Sequence, residues 1–256
     1  MAAASDVPIL WQFKPSHFNE KARWALDWKG IRHERRSLLP GFHIPVTQWV
    51  SGQRAVPVLK LDGQVVADST RIIAEVERRF PDRPLYPADP TARARALELE
   101  EFFDDEIGVH VRRCFFHVAL PDPDFVPTLF SPGFSAFAQT AYRLAFPLVR
   151  AVMRMDMGVN DGGNERSLAR LDAAMDRLEC EIQPSGYLVG DAFSVADLTA
   201  AALLVPMTAP PEFPYPWPAM PTPVADFQAR FSGRRGFQWA REMYRKHRGT
   251  SAGVDV

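Results

Sequence analysis

Residues 51–70 read "SGQRAVPVLKLDGQVVADST". Val56, Val58, Leu59 and Leu61 are good strand formers, and "LDGQ" followed by Val65 and Val66 reads as a tight turn into a second strand. Pro57 stands inside that pattern, although proline has no N–H to give to a ladder. Two readings are open at this position. One is a trans proline on a strand edge; the other is a cis Val56–Pro57 bond at a sharp turn into an interior strand. In the second, the Val56 backbone faces a groove, where its N–H and C=O can pair with an extended peptide ligand as an added strand pairs with a sheet edge.

Working outward from this hairpin, the first part of the chain alternates strands and helices. "PILWQF" is a short apolar strand, and "FNEKARWALDWKG" places Phe18, Ala22, Ala25, Leu26 and Trp28 near one helical face before Gly30 ends it. "IRHERRSLL" reads as a second, polar strand and "PGFHIPVTQWVSGQ" as a loop with one helical turn. After the hairpin, Ile72, Ile73, Val76 and Phe80 form an amphipathic stripe. The order β-α-β-loop-β-β-α fits a small independent domain, residues 1–85.

The prolines of "FPDRPLYPADPTARAR" break the periodicity and mark a linker. From residue 91 to 256 the pattern is helix and loop, with helical repeats in "TARARALELEEFFDDEIGVHVRRCFFHVAL", "ERSLARLDAAMDRLECEI" and "VADLTAAALLVPM". Between them, residues 120–164 hold the apolar stretch "AFAQTAYRLAFPLVRAVMRM", in which Pro147 is expected to kink or divide a helix. The proline-rich "APPEFPYPWPAMPTP" reads as an extended surface connection packed by Phe213, Tyr215 and Trp217. The fold class expected is a thioredoxin-like α/β domain followed by an all-α bundle.

Composition narrows the function. With 46% hydrophobic residues, 24% charged residues and a formal net charge of -1, the chain is globular and carries no basic bias toward nucleic acid or an anionic membrane. The two cysteines, Cys114 and Cys180, have no metal-like spacing and argue for a reducing compartment, with the cytoplasm as the expected location. The N-terminal "MAAASDVPIL" lacks the basic and long apolar regions of a signal peptide, so an unprocessed, soluble chain is expected. His110 and His117 lie near the acidic "EEFFDDE", but without an i, i+4 His pair or a Glu-x-x-His unit, and no metal is expected there.

Two distant motifs carry a family resemblance. "AVPVL" with "DGQVVADSTRIIAEVERRFP" resembles the Val-Pro strand, hairpin and acidic-Ser helix start of the soluble glutathione transferases, and "YLVGDAFSVADLTAAALL" is similar to the Gly-Asp and Ser-x-x-Asp signature of their helical domain. "SGQRAVP" is also similar to a turn of the glutaredoxins. The resemblance implies glutathione as co-substrate, a homodimer, and conjugation of glutathione to a small apolar electrophile, the chemistry of detoxification. The alternatives are a glutathione-dependent isomerase or dehalogenase and a non-catalytic glutathione-binding scaffold, since this fold hosts non-enzymes.

By residue, Asp68 and Ser69 precede a helical run, where free N–H groups and the positive helix end favour an anion, or where either side chain simply caps the helix. The resemblance implies that Ser69 and its backbone hold the γ-glutamyl carboxylate, that Val56 ahead of Pro57 holds the cysteinyl unit, and that Gln53 and Arg54 meet the glycine carboxylate. His43 is a weaker candidate for that last contact, an exposed loop residue by the plainer reading. Ser194 with Asp197 three residues on is a capping box, structural in role.

Ser16 lies between the first strand and the first helix of "KPSHFNEKARWAL", where a hydroxyl at a helix N-terminus stabilises a thiolate, the nucleophilic form of a thiol. The resemblance places the reactive Ser or Cys of its family at this position, with helix capping as the other reading. His17 is a candidate base or hydrogen-bond donor. Trp11 stands where Tyr-type classes carry their hydroxyl, which closes that route, and the absence of Cys at position 16 removes mixed-disulfide chemistry. Phe18, Phe103, His110 and Cys114 are the candidates for the pocket of the second substrate, with core packing as the plainer reading of their helical spacing. Residues after 130 either roof that pocket or pack the domain.

Overall fold

The computed structural model describes residues 7–256. The hairpin forms as its turn chemistry requires: β3 (Val58–Leu61) and β4 (Gln64–Ala67) pair antiparallel around Asp62 and Gly63, whose φ values of 47° and 78° are the left-handed pair that such a two-residue turn needs. β1 (Ile9–Gln12) pairs antiparallel with β3 and parallel with β2 (His33–Ser37). A fifth strand, β5 (Gly253–Asp255), joins β2 in parallel, and the sheet runs β4-β3-β1-β2-β5.

The helices of the first part are α1 (His17–Trp28), α2 (Ile44–Ser51) and α3 (Ser69–Arg79). The helical part comprises α4 (Pro90–Phe103), a π-helical turn (Asp104–Gly108), α5 (Val109–Ala119), α6 (Phe125–Phe130), α7 (Ala136–Asp156), α8 (Asp161–Glu181), α9 (Val195–Leu203), α10 (Val205–Thr208), α11 (Thr222–Phe231) and α12 (Arg235–His247). No described helix is long and apolar enough to cross a membrane.

α1 is buried nearly all round because it lies between two cores. Ala22 and Leu26 pack with Leu10, Leu59, Ile72 and Val76 of the sheet layer, while Trp24 and Ala25 join the core of the helical bundle. Its charged residues are buried with it and are therefore paired, as buried charges must be. Both Asp27 carboxylate oxygens accept from Arg35 Nη2, at 2.9 and 2.7 Å, and Asp27 also pairs with Arg248 at 2.9 Å. Glu20 takes Arg23 at 2.8 Å and Arg248 at 2.5 Å. Lys21 sits between Glu100 at 2.8 Å and Asp104 at 2.6 Å.

Four expectations change. The all-helical reading of residues 91–256 omits β5, which returns to the first sheet and is held by Ala252 N–H donating to Asp27 at 2.8 Å. The segment before the hairpin is the eight-residue helix α2, with Pro45 in its first turn where a missing N–H costs nothing. α7 continues through Pro147 instead of dividing, because Pro147 and Arg143, whose carbonyl loses its helical partner, are both on the solvent face. The long helical run from residue 91 is interrupted by the π turn, whose i to i+5 bonding takes in one residue more than an α turn and shifts the faces that follow.

Caps legible in the sequence are formed. Asp68 accepts from Arg71 N–H at 3.1 Å at the start of α3, at a φ of 85°, so the cap is Asp68 and Ser69 is the first helical residue. Ser194 and Asp197 make the reciprocal capping box of α9. The Asp197 carboxylate accepts from Leu188 N–H, Ser194 N–H and the Ser194 hydroxyl, and burial raises its pKa to about 6 in spite of those three donors.

Candidate functional site

A cavity of about 460 Å³ opens between the sheet domain and the helical bundle. From the first domain it is lined by Ser16, His17 and Phe18 at the start of α1, by Phe13, by His43 and Ile44 at the start of α2, and by Arg54, Ala55 and Val56 ahead of β3. The Val56–Pro57 peptide bond is cis. Among the described residues, neither the N–H nor the C=O of Val56 has a hydrogen-bond partner, whereas the next carbonyl, that of Pro57, accepts from Asp68 N–H at 3.3 Å.

Ser16 is the N-cap of α1 in extended backbone geometry, and its Oγ accepts from Asn19 N–H at 3.4 Å. A hydroxyl that accepts still has its own proton to donate. Capping and donation into the cavity are therefore compatible at this residue. The turn is anchored from behind by Arg23, which donates to the carbonyls of Phe13 at 3.2 Å, Lys14 at 3.0 Å and Ser16 at 3.3 Å.

His17 is 3% exposed, and its Nε2 lies 2.8 Å from the carbonyl oxygen of Gly108. A carbonyl only accepts, so Nε2 carries the proton. Burial first, and the Arg112 cation second, lower its pKa to about 3, which leaves the ring neutral and its Nε2 proton committed to Gly108. Of the base and hydrogen-bond-donor roles expected of His17, its neutral ring donates, and it donates to Gly108, fastening α1 to the π turn. His43, lowered mainly by burial, stands edge-on to Phe13 at 4.7 Å between ring centroids.

The bundle supplies the other wall, and the face it presents is not the one expected. Phe103 is fully buried, Cys114 is 1% exposed with its thiol pushed up to about 12 by burial, and both belong to the bundle core with Ile107 and Val111. His110 is spent on Ser167, at 3.1 Å, and on Glu106, at 3.8 Å. The adjoining face of α5, carrying Arg112, Phe115 and Phe116, lines the cavity instead. Of the four residues expected in the second-substrate pocket, only Phe18 lines the cavity, and it does so from α1. Gln53, Pro57, Asp68 and Ser69 are also outside the lining: Gln53 and Asp68 are exposed, while Pro57 and Ser69 are buried at the strand and helix starts beside it.

The segment beyond residue 120 closes the cavity from above, through Leu129 and Phe130 of α6 and Val149, Val152 and Met153 of α7. Trp217 of the proline-rich connection lines it too. Tyr215 in that connection accepts from Gln12 at 2.6 Å and donates to Asp255 at 2.8 Å, which ties the loop to both β1 and β5. The signal for α5 was present in "RRCFF", where residues 112, 115 and 116 share a helical face. What the sequence could not show is that Phe115 and Phe116, members of the bundle core, also border the cavity while Phe103 and Cys114 do not.

Comparison with known proteins places both halves of the chain. Residues 10–84 match the glutathione S-transferase N-terminal domain and residues 161–231 match the glutathione S-transferase C-terminal domain, together more than half of the 256 residues. The roof formed by α6 and α7 lies between the two matches. A probable maleylacetoacetate isomerase of Caenorhabditis elegans is 33% identical over 95 residues, 36% of this chain and 44% of that protein. Glutathione S-transferase U22 of Arabidopsis thaliana is 31% identical over 105 residues, 40% of this chain and 48% of that protein. The chain thus spans about half the length of the curated relatives it matches. Among solved structures, glutathione transferase GSTFuA3 from Phanerochaete chrysosporium superposes with a TM-score of 0.64 at 17% identity, over 99% of this chain and 100% of that one, a likeness of fold. By the match of both its domains, the chain belongs to the glutathione S-transferase family.

Proposed function

We propose that this protein binds glutathione along the Ser16–Val56 wall of the cavity and transfers its thiolate to a small electrophile held against the bundle wall. The observation that carries this reading is the pairing, on one cavity, of a helix-capping hydroxyl with a free proton and a main-chain donor and acceptor with no partner. The Val56 N–H and C=O suit the cysteinyl unit of a tripeptide, as an added strand would be received. Arg54, also on the cavity, suits a terminal carboxylate. The first turn of α3, begun by buried Ser69, offers N–H groups to the γ-glutamyl carboxylate, with Asp68 holding that turn in place.

Glutathione supplies the sulfur nucleophile. The Ser16 hydroxyl, at the positive end of α1, stabilises the thiolate by donating to it, and His17 positions that helix end without exchanging a proton. The electrophilic carbon accepts the sulfur electron pair, and a leaving group departs with its own pair or, in an addition, the adjacent atom takes a proton. A reversible version of the same addition would isomerise an unsaturated substrate, a reading favoured by the isomerase named among the relatives.

Calorimetric titration with glutathione, combined with ultraviolet absorbance of the bound thiolate in native protein and in Ser16→Ala, tests the reading. Binding with a lowered thiol pKa that Ser16→Ala restores toward its free value supports it. Tight binding with no thiolate supports a non-catalytic glutathione-binding protein instead, and no binding removes the glutathione site.

A further inference from the structure

The cavity wall is largely apolar, but it contains a half-buried cation with no acid to balance it. Arg112 of α5 lies on the lining, with its guanidinium 5.8 Å from the centre of the Phe18 ring. Its Nε is buried without a hydrogen-bond partner, and among the described residues no carboxylate pairs with the group. Burial, and then repulsion from Arg113, both lower its pKa, and no neighbouring acid is there to oppose them. Arg113 itself is satisfied by the Met157 carbonyl at 2.8 Å and Ser167 Oγ at 2.7 Å.

The contrast with the rest of the molecule is what makes Arg112 informative. The cations that are most deeply buried, Lys21, Arg23, Arg35 and Arg248, each have a carboxylate at 2.5 to 2.9 Å. Arg112 is half-buried, its enclosed Nε lacks even a hydrogen-bond acceptor, and withdrawing a charge from water without a partner costs stability that a ligand anion at this position would offset. The remaining charged residues on the cavity, Arg54 and Asp156, are exposed at its mouth, where water screens them. His17 and His43 face it with lowered pKa values and add no charge near neutrality.

We propose that Arg112 receives a carboxylate carried by the second substrate, so that the electrophile this cavity takes is a small aromatic or unsaturated acid and not a wholly apolar molecule. The aromatic wall of Phe115, Phe116, Phe130 and Trp217 holds its body, and the guanidinium, which can bind a carboxylate through two parallel N–H donors, holds its acid end. This rests on the glutathione reading of the opposite wall.

The test uses two stable thioethers, S-benzylglutathione and S-(4-carboxybenzyl)glutathione, titrated calorimetrically into the full chain. Neither contains a free thiol, so any influence of Arg112 on thiolate formation is absent from the readout. The expected result is that the carboxylated conjugate binds roughly tenfold or more tightly than the plain one. The ratio of the two affinities should fall to about one in Arg112→Gln, and part of it should survive in Arg112→Lys. Equal affinities in native protein, a preference that persists in Arg112→Gln, or an equal loss for both conjugates, which would set Arg112 against glutathione itself, each overturns the proposal. Failure of both conjugates to bind native protein instead refutes the glutathione reading on which it rests. If Arg112→Gln does not fold, the native comparison and Arg112→Lys decide the matter.

Discussion

The Nε2–H of His17 donates to the main-chain carbonyl of Gly108 at 2.8 Å, so the helix end that carries Ser16 is fastened to the π turn preceding the Arg112 face. This hydrogen bond adds to the Lys21 ion pairs and the packing of Trp24 and Ala25 that hold the two cavity walls together.

The buried neutral ring makes stability depend on pH. The His17 pKa falls from 6.5 to about 3 on folding, and that of His33 to about 4, in both cases chiefly through burial. Below pH 6.5 the unfolded chain therefore takes up protons that the native one refuses, and stability falls as pH drops through that window. Asp197, raised to about 6, acts in the opposite sense between its ordinary range and that value. His17→Gln keeps a donor for Gly108 but cannot titrate. Urea midpoints at about pH 7 and about pH 4.5 should differ less in this variant than in native protein.

Ser16→Ala removes two things at once. Losing the cap on Asn19 N–H should cost about 1 kcal/mol of stability. Losing the donor to the thiolate should lower kcat roughly 100-fold while glutathione affinity changes far less. Ser16→Thr, which keeps a hydroxyl, should recover much of both. A loss of stability with kcat unchanged would show that Ser16 only caps the helix.

Lys21 is fully buried between Glu100 and Asp104 and also donates to Thr70 at 2.7 Å. It is the charged joint between α1 and α4. Lys21→Met leaves the buried Glu100 and half-buried Asp104 carboxylates without their cation and should cost about 3–5 kcal/mol in urea unfolding. Adding Glu100→Gln should return part of that loss, because burial already raises the Glu100 pKa and its neutral amide counterpart carries no charge to compensate.

Gly108 is small because Phe18 leaves no room for more. A Cβ there would lie 2.5 Å from Phe18 Cζ and 3.2 Å from Leu203 Cδ2. Gly108→Ala should push the Phe18 ring toward the cavity and cost about 1–3 kcal/mol in stability. In steady-state kinetics the KM for the electrophile should rise more than that for glutathione, since the Phe18 ring projects from α1 toward Gly108 and Arg112 of the bundle.

Much of the fold was readable in residues 1–85 because its determinants are local. The Asp62-Gly63 turn and the Asp68 cap each bond within a few residues, as does the Ser194–Asp197 box farther along the chain, and alternating or helical apolar spacing fixes which face is buried. The position of Ser16 was readable for the same reason: a strand ends and a helix must be capped.

Other features depended on partners far away in the chain. Gly253–Asp255 has no strand pattern of its own and is extended only because the β2 edge and Asp27 provide its hydrogen bonds. Phe103 and Cys114 are taken wholly by the bundle core and His110 by Ser167, whereas Phe115 and Phe116, also core members, reach the cavity together with Arg112. Local hydrogen bonding and periodicity decided which elements form, and the sequence carries both. Which face of each helix meets the cavity is a matter of packing between segments up to about 200 residues apart, where competition for buried area, not local preference, sets the outcome.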